Sequence, residues 1–124
     1  MNSKILVVDD GIDTWQLLSS ILRTHGYEPI WAVDVIQAVS EARKHQPHVI
    51  LLDLGLPGGD GFVVLQRLKA NQQLSAIPVI VVTVQDSLLM GPKTRKLGAV
   101  GFVQKPVKAE ELIATLRGVL EKTT

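Results

Sequence analysis

The stretch His48 to Gly61, HVILLDLGLPGGDG, constrains this chain more than any other. An unbroken apolar run, Val49 to Leu52, leads to one carboxylate, Asp53, and then to a loop built on Leu54, Gly55, Leu56, Pro57, Gly58, Gly59, Asp60 and Gly61. A run this apolar, with no alternation, fits a strand covered on both faces, as in the middle of a parallel sheet. Asp53 then stands at that strand's carboxyl end, where open α/β sheets gather their ligands. Taken alone, Asp53 reads more readily as a residue that caps the loop turn. A second pair of carboxylates on another strand argues for a site.

That pair, Asp9-Asp10, follows Ile5 to Val8, a run too short for a helix and rich in β-branched residues. Gly11 to His25 carries Leu17, Leu18, Ile21 and Leu22 at helical spacing, with Gly26 as its stop. Glu28 to Val33 reads as a strand whose Pro29 suits an edge. Asp34 to His45 reads as a helix capped by Asp34, with Ile36, Val39 and Ala42 inward. A third helix opens at Asp60 or Gly61 and carries Phe62, Leu65 and Leu68. Ile77 to Val82 is a further buried strand ending at Thr83. Between Gln85 and Gly98, Gly91-Pro92 is expected to restrict the helix to Pro92 through Leu97. Val100 to Val103 forms the last strand, ending near Lys105-Pro106. Val107 to Lys122 closes the chain as an amphipathic helix, with Leu112, Ile113, Leu116, Val119 and Leu120 inward. Strands alternating with helices over short connections predict an α/β fold: a five-stranded doubly wound parallel sheet with helices on both faces.

A length of 124 residues suits one domain, 1–124, and no second domain is expected after the last helix. The 46% hydrophobic and 20% charged content predicts a packed core rather than disorder. A net charge of +1 argues against broad capture of nucleic acid or acidic membrane, so function must reside in a local site. With no cysteine, disulfides, thiolate metal sites and cysteine nucleophiles are excluded together. The start, Met1-Asn2-Ser3-Lys4, runs directly into a strand, and no apolar run is long enough to span a bilayer. A soluble, cytoplasmic protein with no membrane partner is expected.

In a parallel sheet Asp9-Asp10, Asp53, Thr83 and Lys105 all emerge at one edge. Two unit charges about 4 Å apart repel by roughly 4 kcal/mol at an effective dielectric of ~20, so clustered carboxylates call for a cation or protons. Mg²⁺ answers this, because it uses few carboxylates, keeps waters and binds phosphate oxygens. Asp53 can then act as a nucleophile on phosphorus, giving an acyl phosphate. Lys105 would offset the phosphoryl charge and the Thr83 hydroxyl would donate to one of its oxygens.

The set Asp9-Asp10, Asp53 followed by LGLPGGDG, Thr83 and Lys105-Pro106 resembles the receiver domain of bacterial two-component response regulators, over essentially the whole chain. The resemblance implies Asp53 as phosphoacceptor, with Asp10, Asp53 and the Gly55 carbonyl as direct magnesium ligands and Asp9 acting through water. It implies phosphoryl contacts from Thr83 and Lys105, a cis peptide at Lys105-Pro106, and a flavodoxin-like sheet order of 2-1-3-4-5. Phe102 falls where the family carries a rotating aromatic switch; a core phenylalanine is the other reading. In the family's mechanism the phosphoryl group draws the threonine loop inward and remodels the face of the fourth helix, fifth strand and fifth helix. Such a shift needs roughly 5.5 kcal/mol of differential stabilisation.

The implied partners are a histidine kinase or phosphotransfer protein, a downstream output domain or protein, and a second copy on phosphorylation. The implied activity is self-phosphorylation and self-dephosphorylation rather than enzymatic turnover. Val84 replaces the family's usual alanine after the switch threonine, which narrows access for bulky donors. Gly55 offers no side chain to guide or block hydrolytic water. A pseudo-receiver that binds without phosphorylation is the alternative, and the intact acidic, threonine and lysine positions speak against it. An aspartyl-phosphate phosphatase of the haloacid dehalogenase type would want an Asp where Gly55 stands, and Asp9-Asp10 would repel a flavin's phosphate tail. Trp15, off the Leu18/Leu22 stripe, reads either as exposed for kinase docking or as lying flat on its neighbours. Trp31 reads as structural, and His25, His45 and His48 read as surface residues away from the acidic edge.

Overall fold

A computed structural model describes residues 2–56 and 60–122, with the backbone alone at Asp60. Residues 57–59, inside the glycine-rich loop, and residues 1, 123 and 124 lie outside the described residues. Five strands alternate with five helices: β1 (Lys4–Val8), α1 (Ile12–Thr24), β2 (Glu28–Ala32), α2 (Val35–His45), β3 (Val49–Leu52), α3 (Asp60–Ala70), β4 (Val79–Thr83), α4 (Ser87–Lys96), β5 (Gly101–Gln104) and α5 (Ala109–Lys122). All strand pairs are parallel and their order is β2-β1-β3-β4-β5, the flavodoxin-like winding.

The inner strands are apolar throughout because both faces of the sheet are covered. On one face Leu6, Val8, Ile50, Leu52, Val79 and Val81 meet Ala38, Ala42, Val64, Leu65 and Leu68 from α2 and α3, and Met90 of α4 and Leu97 just after it pack against this cluster. On the other, Ile5, Val7, Val49, Leu51, Ile80 and Val82 meet Leu18 and Leu22 of α1 and Leu112, Ile113, Leu116 and Val119 of α5. Each fully buried Leu or Ile side chain contributes roughly 1.5–3 kcal/mol. These two layers fix the strands that carry the polar residues of the upper edge.

β2 lies at the edge, as Pro29 suggested. The Glu28 N–H donates inward to the Ser3 carbonyl at 2.9 Å, so the next nitrogen, that of Pro29, faces away from β1 and no ladder bond is lost. Gly26 ends α1 at φ +84°, a conformation that glycine adopts without penalty.

Three expectations are corrected. Ile36 is 77% exposed, while Ala38 and Ala42 are the buried residues of α2. The Asp34 side chain accepts the Gln37 N–H at 2.8 Å and sets the start of the helix, and Ile36 then stands about 200° around the axis from Ala38. Leu17 is 47% exposed, because α1 buries Leu18, Ser19 and Leu22 instead.

The third correction is α4, which runs unbroken from Ser87 to Lys96 with Pro92 inside it. Pro92 withholds the N–H that would bond the Leu88 carbonyl, and Leu88 is exposed, so water can serve that oxygen. Asp86 caps the Leu88 N–H at 2.8 Å, and the Thr94 hydroxyl donates back to the Met90 and Gly91 carbonyls at 2.9 and 3.1 Å. These bonds hold the helix on both sides of the proline.

Candidate functional site

Strand register assembles the site. Val8 pairs with Leu52, so the next residues, Asp9 and Asp53, leave neighbouring strands side by side. The Asp53 N–H donates to the Val8 carbonyl at 2.9 Å and the Asp9 N–H to the Ala32 carbonyl at 3.1 Å. Thr83 pairs with Gln104 across β4 and β5, and the Lys105 N–H bonds the Thr83 carbonyl at 2.7 Å. The Lys105-Pro106 peptide is cis, as the sequence led us to expect.

Lys105 reaches back over the edge to the acids. Its Nζ donates to Asp9 Oδ2 at 2.8 Å and to Asp53 Oδ2 at 3.4 Å, with the Thr14 hydroxyl at 3.5 Å. Asp9 is buried, and its other oxygen accepts the Gly11 N–H at 2.8 Å. Asp53 Oδ1 accepts the Gly55 N–H at 3.1 Å. Asp10 is exposed, and one carboxylate oxygen from each of Asp9, Asp10 and Asp53 lies within 4.8 Å of the others. The three acids and the base that the sequence placed at one edge therefore meet in one crevice.

Burial pushes the Asp9 carboxyl above its ordinary value of 3.8, and the hydrogen bonds from Lys105 and Gly11 only partly offset it. Burial also disfavours the Lys105 ammonium, but the bond to Asp9 and the charge of Asp53 together outweigh that and hold it above 10.5. One ammonium faces three carboxylates, which leaves the cluster with an excess of negative charge and only oxygen donors. That donor set fits a hard divalent cation with oxygen ligands.

Thr83 is fully buried, and its hydroxyl accepts the Gln85 N–H at a long 3.5 Å. Phe102, opposite Val81 on β5, is partly buried against the α2/α3/α4 side of the core. A cavity of about 40 Å³ adjoins it, lined among others by Gly91, Thr94 and Gly101. Val84, the residue after Thr83, is 70% exposed.

Trp15 is not free: its ring stacks on Trp31 with centroids 5.2 Å apart and 1° between the planes. The Trp31 indole N–H donates to the Asp9 carbonyl at 2.7 Å, which ties this side chain to the strand end that carries the acids. His25 and His48 are exposed and His45 is half-buried beside Glu41 at 3.0 Å.

Sequence reading missed three neighbours of the site. Thr14 joins through the turn of α1, and Trp31 through a bond across 22 residues; neither has a local signal. Gly61 had one, as the glycine opening a helix. A Cβ there would collide with the Asp53 carbonyl oxygen and lie 2.6 Å from the Leu54 Cα. The start of α3 thus rests directly on the backbone that presents Asp53.

Comparison with known proteins agrees with this geometry. The family model for the response regulator receiver domain matches residues 5–117. Protein PilH of Pseudomonas aeruginosa is 35% identical over 118 residues, covering 95% of this chain and 98% of PilH. Sporulation initiation phosphotransferase F of Bacillus subtilis is 35% identical, covering 90% of this chain and 89% of its own. By contrast, the chain spans 50% of the transcriptional regulator RpaA of Synechocystis, to which it is 36% identical over 97% of its own length. Among solved structures, the chemotaxis response regulator CheY4 of Vibrio cholerae superposes with a TM-score of 0.89 at 32% identity, covering 97% of this chain and 100% of that one. Among the described residues no helix is long and apolar enough to cross a membrane. With sheet order, crevice and relatives in agreement, this chain belongs to the response regulator receiver domain family of two-component signalling.

Proposed function

We propose that the chain accepts a phosphoryl group on Asp53 from a histidine kinase or phosphotransfer protein, with Mg²⁺ in the acidic crevice, and so switches an output domain or protein. The observation that carries this reading is Lys105, whose ammonium sits 2.8 Å from Asp9 and 3.4 Å from Asp53 inside a cluster of three carboxylates. Asp10, Asp53 and the Gly55 carbonyl would hold the ion directly and Asp9 through water. Bound there, it would neutralise charge between Asp53 and the incoming phosphoryl oxygens.

In the transfer an Asp53 carboxylate oxygen forms the new bond to phosphorus while the donor's P–N bond breaks, or the P–O bond of a small acyl phosphate. The bonding electrons leave with the donor. Lys105 is already within reach of Asp53 to make a charge-assisted bond to a phosphoryl oxygen, and Thr83 can turn its weakly held hydroxyl to another. A mostly apolar groove of 230 Å³, lined by Asp13, Thr14, Leu17, Lys105, Pro106 and Val107, offers the donor protein a seat beside the crevice. Exposed Gly55 leaves water a path to the acyl phosphate, so the domain dephosphorylates itself.

Thr83, drawn toward the phosphoryl group, would vacate space that Phe102 enters. The readout surface is then α4, β5 and α5, where Leu88, Leu89 and Val100 are exposed for an output partner or a phosphorylated second copy. The test is labelling by a small acyl phosphate, or binding of beryllium fluoride, with magnesium present. Wild type is expected to respond and Asp53→Asn not to; equal response of the two overturns the assignment.

A further inference from the structure

Asp9 and Asp53 are each held by hydrogen bonds to both of their oxygens. The Asp10 side chain is exposed, and among the described residues nothing donates a hydrogen bond to it. Its aim therefore depends on the peptide that carries it. The carbonyl of that peptide is gripped from the next strand by the Trp31 indole N–H at 2.7 Å, and the peptide before it is tied to the same strand through the Asp9 N–H, which donates to the Ala32 carbonyl at 3.1 Å. Because the peptide is planar, fixing the Asp9 carbonyl also fixes the direction in which the chain enters Asp10.

Trp31 is itself clamped. The Trp15 ring lies parallel to it at 5.2 Å, and the Arg23 guanidinium stands 5.9 Å from the Trp15 centroid. Offset-stacked rings and a cation over a ring face are both attractive arrangements, so the indole is held in the orientation that makes the bond.

We propose that Trp31 is a positioning residue of the acidic crevice: its indole N–H fixes the Asp9-Asp10 peptide and so aims the Asp10 carboxylate at Mg²⁺, while Trp15 holds the ring. This rests on the reading of the crevice as a magnesium site. Neither tryptophan touches the ion. Outer partners of metal ligands typically change affinity 10- to 100-fold when lost, and a partner acting on the adjoining carbonyl belongs at about 10-fold.

The experiment is calorimetric titration of MgCl₂ into the full chain as wild type, Asp10→Asn, Trp31→Phe and Trp15→Phe. Asp10→Asn should abolish binding and Trp31→Phe should weaken it about 10-fold. Trp15→Phe keeps the indole N–H and should weaken it less. A purely structural Trp31 would lower the unfolding temperature in chelator and leave magnesium affinity unchanged, and that result overturns the proposal. If wild type binds no magnesium, the crevice reading fails and the Trp31 role with it. If Asp10→Asn abolishes binding while Trp31→Phe binds as wild type, only the Trp31 role fails. Should Trp31→Phe not fold, the ¹⁵N indole resonance of Trp31 in the wild type decides. It should move with magnesium along the calorimetric isotherm, and a stationary signal overturns the proposal.

Discussion

On the β1–β3 side of the crevice, Asp9 has Lys105 on one oxygen and the Gly11 N–H on the other, and Asp53 rests on a backbone that Gly61 contacts directly. On the β4–α4 side, the Thr83 hydroxyl has one hydrogen bond among the described residues, long at 3.5 Å, α4 lacks a backbone bond at Pro92, and Leu88 and Leu89 face solvent. In the first region the two buried acids have both oxygens bonded, while in the second α4 carries a gap in its backbone bonding at Pro92 and exposes its first turn. Preorganised groups suit bond formation, because they lose little freedom when the reacting atoms arrive. A loosely tied helix suits a response, because little native interaction has to be broken to move it. In this domain the two demands fall on opposite sides of one strand, β3.

The largest expected effect breaks the tight side. Gly61→Ala puts a methyl group into the Asp53 backbone, so urea denaturation should show a loss of about 3 kcal/mol. A loss below about 1 kcal/mol would mean that this backbone yields as readily as α4 does. Next comes the loose side: Pro92→Ala restores the N–H to the Leu88 carbonyl and should stabilise the domain by about 1–2 kcal/mol. Amide exchange across Ser87–Met90 should slow in parallel, and unchanged exchange would show that the missing bond is not what loosens the turn.

Titration of the metal-free protein sharpens the comparison further. Asp9 is raised above 3.8 in the folded state, so the fold binds more protons than the unfolded chain just above that pH. Stability contributed by the protonated form is present below pH 3.8 and is lost as pH rises through the folded value. Lys105 is raised above 10.5, so its contribution is present below pH 10.5 and is lost as pH climbs through its folded value. Asp9→Asn should accordingly raise the metal-free melting temperature at neutral pH and flatten the acid-side slope. A drop would show that the Lys105 pair outweighs the burial of charge. The smallest effect is expected for Leu88→Ser, within about 0.5 kcal/mol, because its side chain packs on little.

Runs such as Val49–Leu52 announced the buried strands because both faces of the sheet are covered, and the strand ends then placed Asp9, Asp53, Thr83 and Lys105 together. Helix faces were less legible. Ala38 and Ala42 carry too little side chain to stand out in a pattern, yet small residues let α2 approach the sheet closely, whereas the conspicuous Ile36 points outward. Proline misled at α4 because the penalty it imposes depends on where the orphaned carbonyl faces, and Leu88 lies at the surface. The Trp31 to Asp9 bond joins two strands through a side chain and leaves no local trace.

The outward-facing nitrogen of Pro29 has a consequence for how copies of this domain meet. An open sheet flank is a template on which a second chain can extend the ladder, the first step toward fibrous aggregates. At the β2 flank that template lacks a donor at the second residue of a five-residue strand, so cross-chain sheet growth is interrupted there.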